Sequence, residues 1–314
     1  MQNQTNCNEP QEKVPCLMCG ATENKPVLQV KDHLFARPGK YQIVQCCSCG
    51  LVYVNPRPTL EALALHYPDN YIAYTQLEEM SWLMQRIFLP VARANANSRI
   101  RSIERVIGPV PEKTKVADVG CGLNLFLRYL RELRGCEGIG VDFNAKITDY
   151  ARKKFNMPIV CGTLHDAGFE SGHFDLVTMH EYLEHEPNPL QVLTEARRIT
   201  RTGGYINIEI PYIGGLPARI FRSRWSQYDV PRHLVFFTPG TLEKMLGRCG
   251  YELISLRTYG VPFIIGMSVL HALGFNKLGG IRGPGWLLVG VAGTPLLPFV
   301  PIMHEFMSVF ARAR

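Results

Sequence analysis

Three groups of residues in this 314-residue chain have types and spacings that could do chemistry. The first is two C-x-x-C pairs, Cys16/Cys19 in CLMCG and Cys46/Cys49 in CCSCG. Each pair is followed by a glycine, Gly20 or Gly50, which permits the tight turn that aims two thiolates at one ion. Four thiolates suit tetrahedral Zn2+ in a closed structural site. Cys47 is the spare, because only Cys46 gives the two-residue spacing. The 26 residues between Cys19 and Cys46 exceed the usual short spacing, and a hairpin can carry the extra length. The alternative is two redox pairs or reduced core cysteines.

The second group is the loop VADVGCGLN. Gly120 and Gly122 let the backbone turn sharply and approach a ligand closely. Asp142 ends the next apolar run, EGIGVD, where a carboxylate can accept both hydroxyls of a ribose. A pyrophosphate dinucleotide fits poorly. Leu125 stands where its third glycine would be, and Asp118 adds negative charge beside the loop. A ligand carrying a positive amino group suits Asp118 better. The third group is HEYLEH, with His180, Glu181, Glu184 and His185, joined by His233 from the later DVPRHLVFF. In the plainer reading, which the sequence favours, Glu184 and His185 brace a loop while one of His185, His180 and His233 acts as base. In the sharper reading, Glu181, Glu184, His185 and His233 hold a divalent cation that binds a diol.

These residues need a scaffold, and the hydrophobic pattern supplies one. KVADVG, EGIGVD, MPIVCG, HFDLVTMH, YINIEI and YELISLRTYG read as strands. LNLFLRYLREL, NAKITDYARKKF, NPLQVLTEARRIT and TPGTLEKMLGRCG read as helices between them, with Asn188 and Thr238 as caps and Gly203-Gly204 as a turn. Such alternation implies right-handed β-α-β units and a mainly parallel sheet of α/β class. Residues 60–108 read as helical, with a break or kink at Pro90. Short β-like runs, YQIVQ and LVYV, flank the second cysteine pair.

Taken together, VADVGCGLNLFLRYL, GIGVDFN and HFDLVTMHEYLEHEPNPLQVLTEARRITRTGGYINIEIP resemble the successive motifs of class I S-adenosylmethionine-dependent methyltransferases. The likeness runs from about residue 115 to 258, and FMSVFARAR resembles the closing strand of that fold. It implies a Rossmann-like seven-stranded sheet in which Asp118, Gly120, Gly122, Asn124, Asp142, Phe143 and Thr163 face the cofactor. Two positions depart from the pattern. Asn124 replaces a usual glycine, although Asn tolerates positive φ, and Thr163 replaces an acid that often contacts adenine. GLVYVNPRP after the second cysteine pair resembles bacterial methyltransferases that carry an N-terminal zinc ribbon. The E-x-x-E-H element with a distant histidine is similar to one in small-RNA 2′-O-methyltransferases, and E-H to one in quinone O-methyltransferases.

The expected organisation is a zinc-ribbon module at 1–58, a helical linker at 59–112, a methyltransferase domain at 113–258 and 305–314, and a hydrophobic insertion at 259–304. Residues 258–276 and 283–303 carry no formal charge. They suggest a hairpin dipping into a membrane surface or, alternatively, a lid or dimer face. The polar start MQNQTNCNEPQEK has no apolar secretory core, so the expected compartment is the cytoplasm, with peripheral attachment to the membrane's cytoplasmic face under the hairpin reading. The net charge of +7 is spread out. Residues 15–58 hold only Lys25, Lys31, Arg37, Lys40 and Arg57, which argues against a nucleic-acid groove. The preferred function is O-methylation of a small-molecule, glycan or lipid-linked acceptor. The alternatives are an RNA methyltransferase or a non-catalytic scaffold of the same fold.

Overall fold

The computed structural model describes residues 9–67, 80–276, 289 and 302–314. Five short strands come first: β1 (Gln11–Glu12), β2 (Asn24–Val30), β3 (Tyr41–Cys46), β4 (Val52–Val54) and β5 (Arg57–Pro58). Two helices follow, α1 (Leu60–Ala64) and α2 (Trp82–Ile107). The alternating part runs β6 (Lys115–Val119), α3 (Leu125–Arg134), β7 (Glu137–Asp142), α4 (Ala145–Phe155), β8 (Ile159–Cys161), β9 (Phe174–His180), α5 (Pro189–Ile199) and β10 (Thr200–Pro211). It continues with α6 (Leu216–Phe221), β11 (Val235–Phe236), α7 (Pro239–Arg248), β12 (Tyr251–Tyr259), α8 (Pro262–Ala272) and β13 (Phe306–Ala313).

Seven strands make the main sheet in the order β12-β13-β10-β9-β6-β7-β8. All neighbouring pairs from β10 to β8 are parallel, and β13 runs antiparallel between β10 and β12. Order reverses at β6. The chain winds outward through β7 and β8, then returns to place β9 on the other side of β6. The crevice beyond the carboxyl ends of β6 and β9 is therefore the switch point where open α/β sheets bind ligands. Leu176, Val177 and Met179 of β9 and Ile206, Ile208 and Ile210 of β10 are wholly buried, as expected of strands covered on both faces.

Local signals set the helices. The Asn144 side chain accepts from Ile147 N and starts α4. Asn188 accepts from Gln191 N at the start of α5, with Pro189 in its first turn. Thr238 and Thr241 cap α7 reciprocally.

The structure bears on three readings of the sequence. Pro90 lies inside one helix, α2, and does not end it. Its position is exposed, so water can satisfy the carbonyl that lacks a partner. Gly203 and Gly204 form a bulge within β10, marked by a register shift between Thr200 and Tyr205, because a loop this short folds back onto the same ladder. Of the uncharged C-terminal segments, the first yields α8, whose 11 residues rise about 16 Å. Among the described residues no helix is long and apolar enough to cross a membrane. Nearly all of the second segment lies outside the described residues.

The N-terminal strands form a second sheet, β11-β4-β3-β2. Its edge strand β11 comes from the far side of the chain, between α6 and α7, and pairs antiparallel with β4. Met18, Leu51 and Tyr53 of this module share one hydrophobic core with Leu242, Met245 and Leu246 of α7. The module is thus built into the larger domain.

Candidate active site

The four paired cysteines meet at one end of the small sheet. Cys16 Sγ lies 3.4 Å from Cys49 Sγ and Cys19 Sγ 3.6 Å from Cys46 Sγ, with all four within 4.8 Å of one another. Sulfurs bonded to tetrahedral zinc at about 2.3 Å stand about 3.8 Å apart, so the cluster fits that ion. The two loops repeat one turn. Gly20 N donates to Cys16 O and Gly50 N to Cys46 O, at φ of +76° and +81°. Cys47 is exposed and outside the cluster.

The glycine loop leaves β6 at the switch point. Asp118 is buried, and its Oδ1 accepts from Thr178 Oγ1 at 2.6 Å. Burial pushes its pKa up to about 7, partly offset by Thr178 and Arg99. Gly120 adopts φ +73°, and a Cβ there would lie 2.4 Å from the Tyr182 ring. Gly122 faces open space, and its N–H donates to Asp142 Oδ2 at 2.9 Å. Asn144 N donates to Asp142 Oδ1 at 3.0 Å. Two backbone amides thus fix the Asp142 carboxylate at the end of β7, leaving each oxygen a lone pair for a ligand. Burial raises its pKa against those two donors. Phe143 beside it is exposed, its ring edge to face with that of Tyr67 at 6.0 Å.

Asn124 takes the left-handed conformation, φ +57°, that its place in the loop requires. Its side chain is fully buried and packs over Gly140, where any Cβ would collide with Cys121 and Asn124. Thr163 is exposed and holds an acid that sequence reasoning missed. Its N–H and Oγ1 both donate to Asp166 Oδ2, at 2.9 and 2.7 Å. That turn places a carboxylate three residues after the expected position.

The ends of β9 and of the loop before β11 form the other wall. Glu184, His185 and His233 converge, with one candidate ligand atom from each within 4.8 Å of the others. The two imidazoles pack edge to face at 4.5 Å. His185 Nδ1 faces Arg232 O at 3.1 Å and Tyr67 Oη at 3.0 Å, while His233 Nδ1 faces Gln227 O at 2.8 Å. A carbonyl only accepts, so each Nδ1 carries the proton and each Nε2 keeps a lone pair. Burial lowers His185 to about 3 and raises Glu184 well above the usual carboxylate range. Glu181 stands apart, correcting its expected place in a four-ligand set. With a positive φ of +55°, it turns its carboxylate to Arg99 Nη2 at 3.3 Å. His180 is committed elsewhere too, with Nε2 2.9 Å from Asn207 Oδ1. Burial, with Arg99 nearby, lowers its pKa to about 4.

Several residues of this wall carried no sequence signal. Arg99 of α2 pairs with buried Glu209 at 2.6 Å. Arg232 is fully buried between Asp32 of the N-terminal module, at 2.8 Å, and Asp229, at 2.5 Å. The ladder also links the two parts. Val54 N donates to Leu234 O, and Leu234 N donates to Glu184 O.

Residues 117–208 match the methyltransferase domain family. The chain is 29% identical over 148 residues to a ubiquinone biosynthesis O-methyltransferase of Nitrosomonas europaea, covering 44% of this chain and 60% of that protein. It is 28% identical over 198 residues to a sarcosine/dimethylglycine N-methyltransferase of Halorhodospira halochloris, covering 60% and 61%. It therefore spans about three fifths of each relative's length. A solved geranyl diphosphate methyltransferase shares the fold, with a TM-score of 0.50 at 14% identity over 71% of this chain and 85% of that one. Residues 117–208 thus carry a methyltransferase domain, set on a Rossmann-like seven-stranded sheet.

Proposed function

We propose that this protein transfers a methyl group from S-adenosylmethionine to a hydroxyl oxygen of a small-molecule acceptor. The observation that carries the cofactor half is the Asp142 carboxylate, oriented by the amides of Gly122 and Asn144 next to open space at Gly122. S-adenosylmethionine supplies an already activated, sulfonium-bound methyl carbon. Asp142 would accept the ribose hydroxyls, Phe143 would cover the adenine, and buried Asp118 would receive the amino group. Gly120, Gly122 and Asn124 shape the backbone beneath them, and Thr163 acts through Asp166.

On the acceptor side, His185 is half-buried with a free Nε2 lone pair, and His233 lies behind it. Glu184, His185 and His233 are the groups that would handle the hydroxyl proton, and His180 braces the strand end through Asn207. The similarity to the ubiquinone biosynthesis O-methyltransferase of Nitrosomonas supports an oxygen acceptor. Because positioning contributes much of the acceleration in such transfers, the acceptor wall should control turnover more than cofactor affinity. The test is release of S-adenosylhomocysteine with a panel of catechol and hydroxyquinone acceptors. Turnover that needs the acceptor's hydroxyl, and falls at least about 100-fold in His185→Ala, is expected. Cofactor binding with no turnover on any hydroxyl acceptor, but turnover on amines, would contradict the oxygen assignment.

A further inference from the structure

Charge is unevenly spread over the molecule. On one side of the sheet, Ile100 and Ile103 of α2 and Leu127 and Leu130 of α3 pack over Val116, Leu176 and Phe310. The Arg128 guanidinium of α3 lies 4.6 Å from the centre of the Phe155 ring at the end of α4, so the three helices adjoin in series. Together α2, α3 and α4 hold twelve arginines and lysines and three acids. Their excess of nine is larger than the +7 of the whole chain, which leaves the rest slightly acidic. Each of the three acids is matched by one cation of the same layer: Glu104 by Arg134, Glu132 by Arg93 and Asp149 by Arg152. Arg99 turns inward to Glu209, while Arg101, Arg105, Arg131 and Lys153 are exposed.

To this basic face α2 adds an apolar end. Leu83, Ile87, Val91, Arg101 and Arg105 fall on one exposed line at helical spacing. Trp82, Leu83, Ile87 and Val91 are 45% to 68% exposed. Arg86 and Arg93 flank them, with the Arg86 guanidinium 5.7 Å from the centre of the Trp82 ring. No acid occurs in α2 before Glu104. A cationic helical face with an exposed apolar end suits a helix that lies in the headgroup layer of a bilayer. We propose that α2, with the basic faces of α3 and α4, docks on an anionic lipid surface. Trp82, Leu83, Ile87 and Val91 enter between the headgroups, and the arginines and lysines meet the lipid phosphates. The surface is built from other elements than the uncharged C-terminal segments. Aliphatic side chains do not stack on bases, which disfavours a nucleic acid here. A second copy seated on this face would bring like charge against like.

The docking surface does not depend on the identity of the methyl acceptor. The test is flotation of the full-length protein with vesicles of phosphatidylcholine alone and of phosphatidylcholine with about one third phosphatidylglycerol. Binding to the anionic vesicles and not to the neutral ones is expected, weakened at least about tenfold when salt rises from about 0.1 to about 0.5 M. Arg101→Glu combined with Arg105→Glu should weaken it at least about tenfold, and Ile87→Ser at least about threefold. All three positions are exposed, and circular dichroism shows that each variant keeps its fold. Failure to float with anionic vesicles overturns the docking surface, as does equal flotation with neutral ones or binding that the folded variants retain in full. Tight binding to a single-stranded RNA oligomer in place of the vesicles would overturn lipid as the partner.

Discussion

The proposed cofactor wall and the proposed acceptor wall meet at the same sheet edge but are assembled differently. Asp118, Gly120, Gly122, Asn124, Asp142 and Phe143 come from one β-α-β unit, β6-α3-β7, and are held mainly by it and by the segments beside it, with Thr178 on Asp118, Pro158 on Asn124 and Gly162 on Asp142. The acceptor wall draws Glu184 and His185 from the end of β9, His233 from the loop before β11, Tyr67 from beyond α1 and Asp32 from the N-terminal module. A local unit can be varied as a piece. A wall held from many directions depends on parts that never touch a ligand.

The largest effect should come from that dependence. Arg232→Met strands Asp32 and Asp229 in the interior, so denaturant unfolding should show a loss of about 3–5 kcal/mol. The surviving folded protein should keep its cofactor affinity and lose turnover, because the Asp32 and Asp229 pairs fix the loop whose residue-232 backbone carbonyl orients His185. Equal losses of both would mean the two walls are one unit.

The next effect sharpens the cofactor wall. Asp118 sits near pKa 7 and must be ionised to receive an ammonium group. Its folded value is raised, so below pH 7 binding must first remove a proton. Calorimetric affinity should fall about tenfold per pH unit below 7 and level off above it. A flat profile from pH 5 to 8 would remove Asp118 from the amino-group contact.

The smallest effect should come from Asn124→Gly. Glycine relieves a left-handed conformation that costs Asn little, but it empties the space over Gly140. The two partly cancel, and affinity should change by less than about threefold, within about 0.7 kcal/mol.

The same contrast explains what could be read in the sequence. Strand-helix alternation, the caps at Asn188 and Thr238, the glycine loop and the cysteine spacing are all short-range patterns, and the structure contains each of them. His233 stands out in the sequence as a histidine that could fold toward Glu184 and His185, and the three lie within 4.8 Å of one another. Arg99, Asp32 and Arg232 could not be found this way. Each is an ordinary charged residue until a partner over a hundred positions away buries it. Glu181 misled for the converse reason. Its spacing suits a ligand, but its positive φ and Arg99 redirect it. Nor does C-x-x-C spacing reveal that the cysteine module borrows β11 from the catalytic domain.

The most direct test of the central claim is calorimetric titration of S-adenosylmethionine into the wild type and Asp142→Ala. Micromolar-range binding to the wild type and at least about a 100-fold loss in the variant are expected, since a buried, doubly oriented carboxylate is removed from two hydroxyl contacts. Binding that survives the substitution unchanged would contradict the assignment of this loop as the cofactor site.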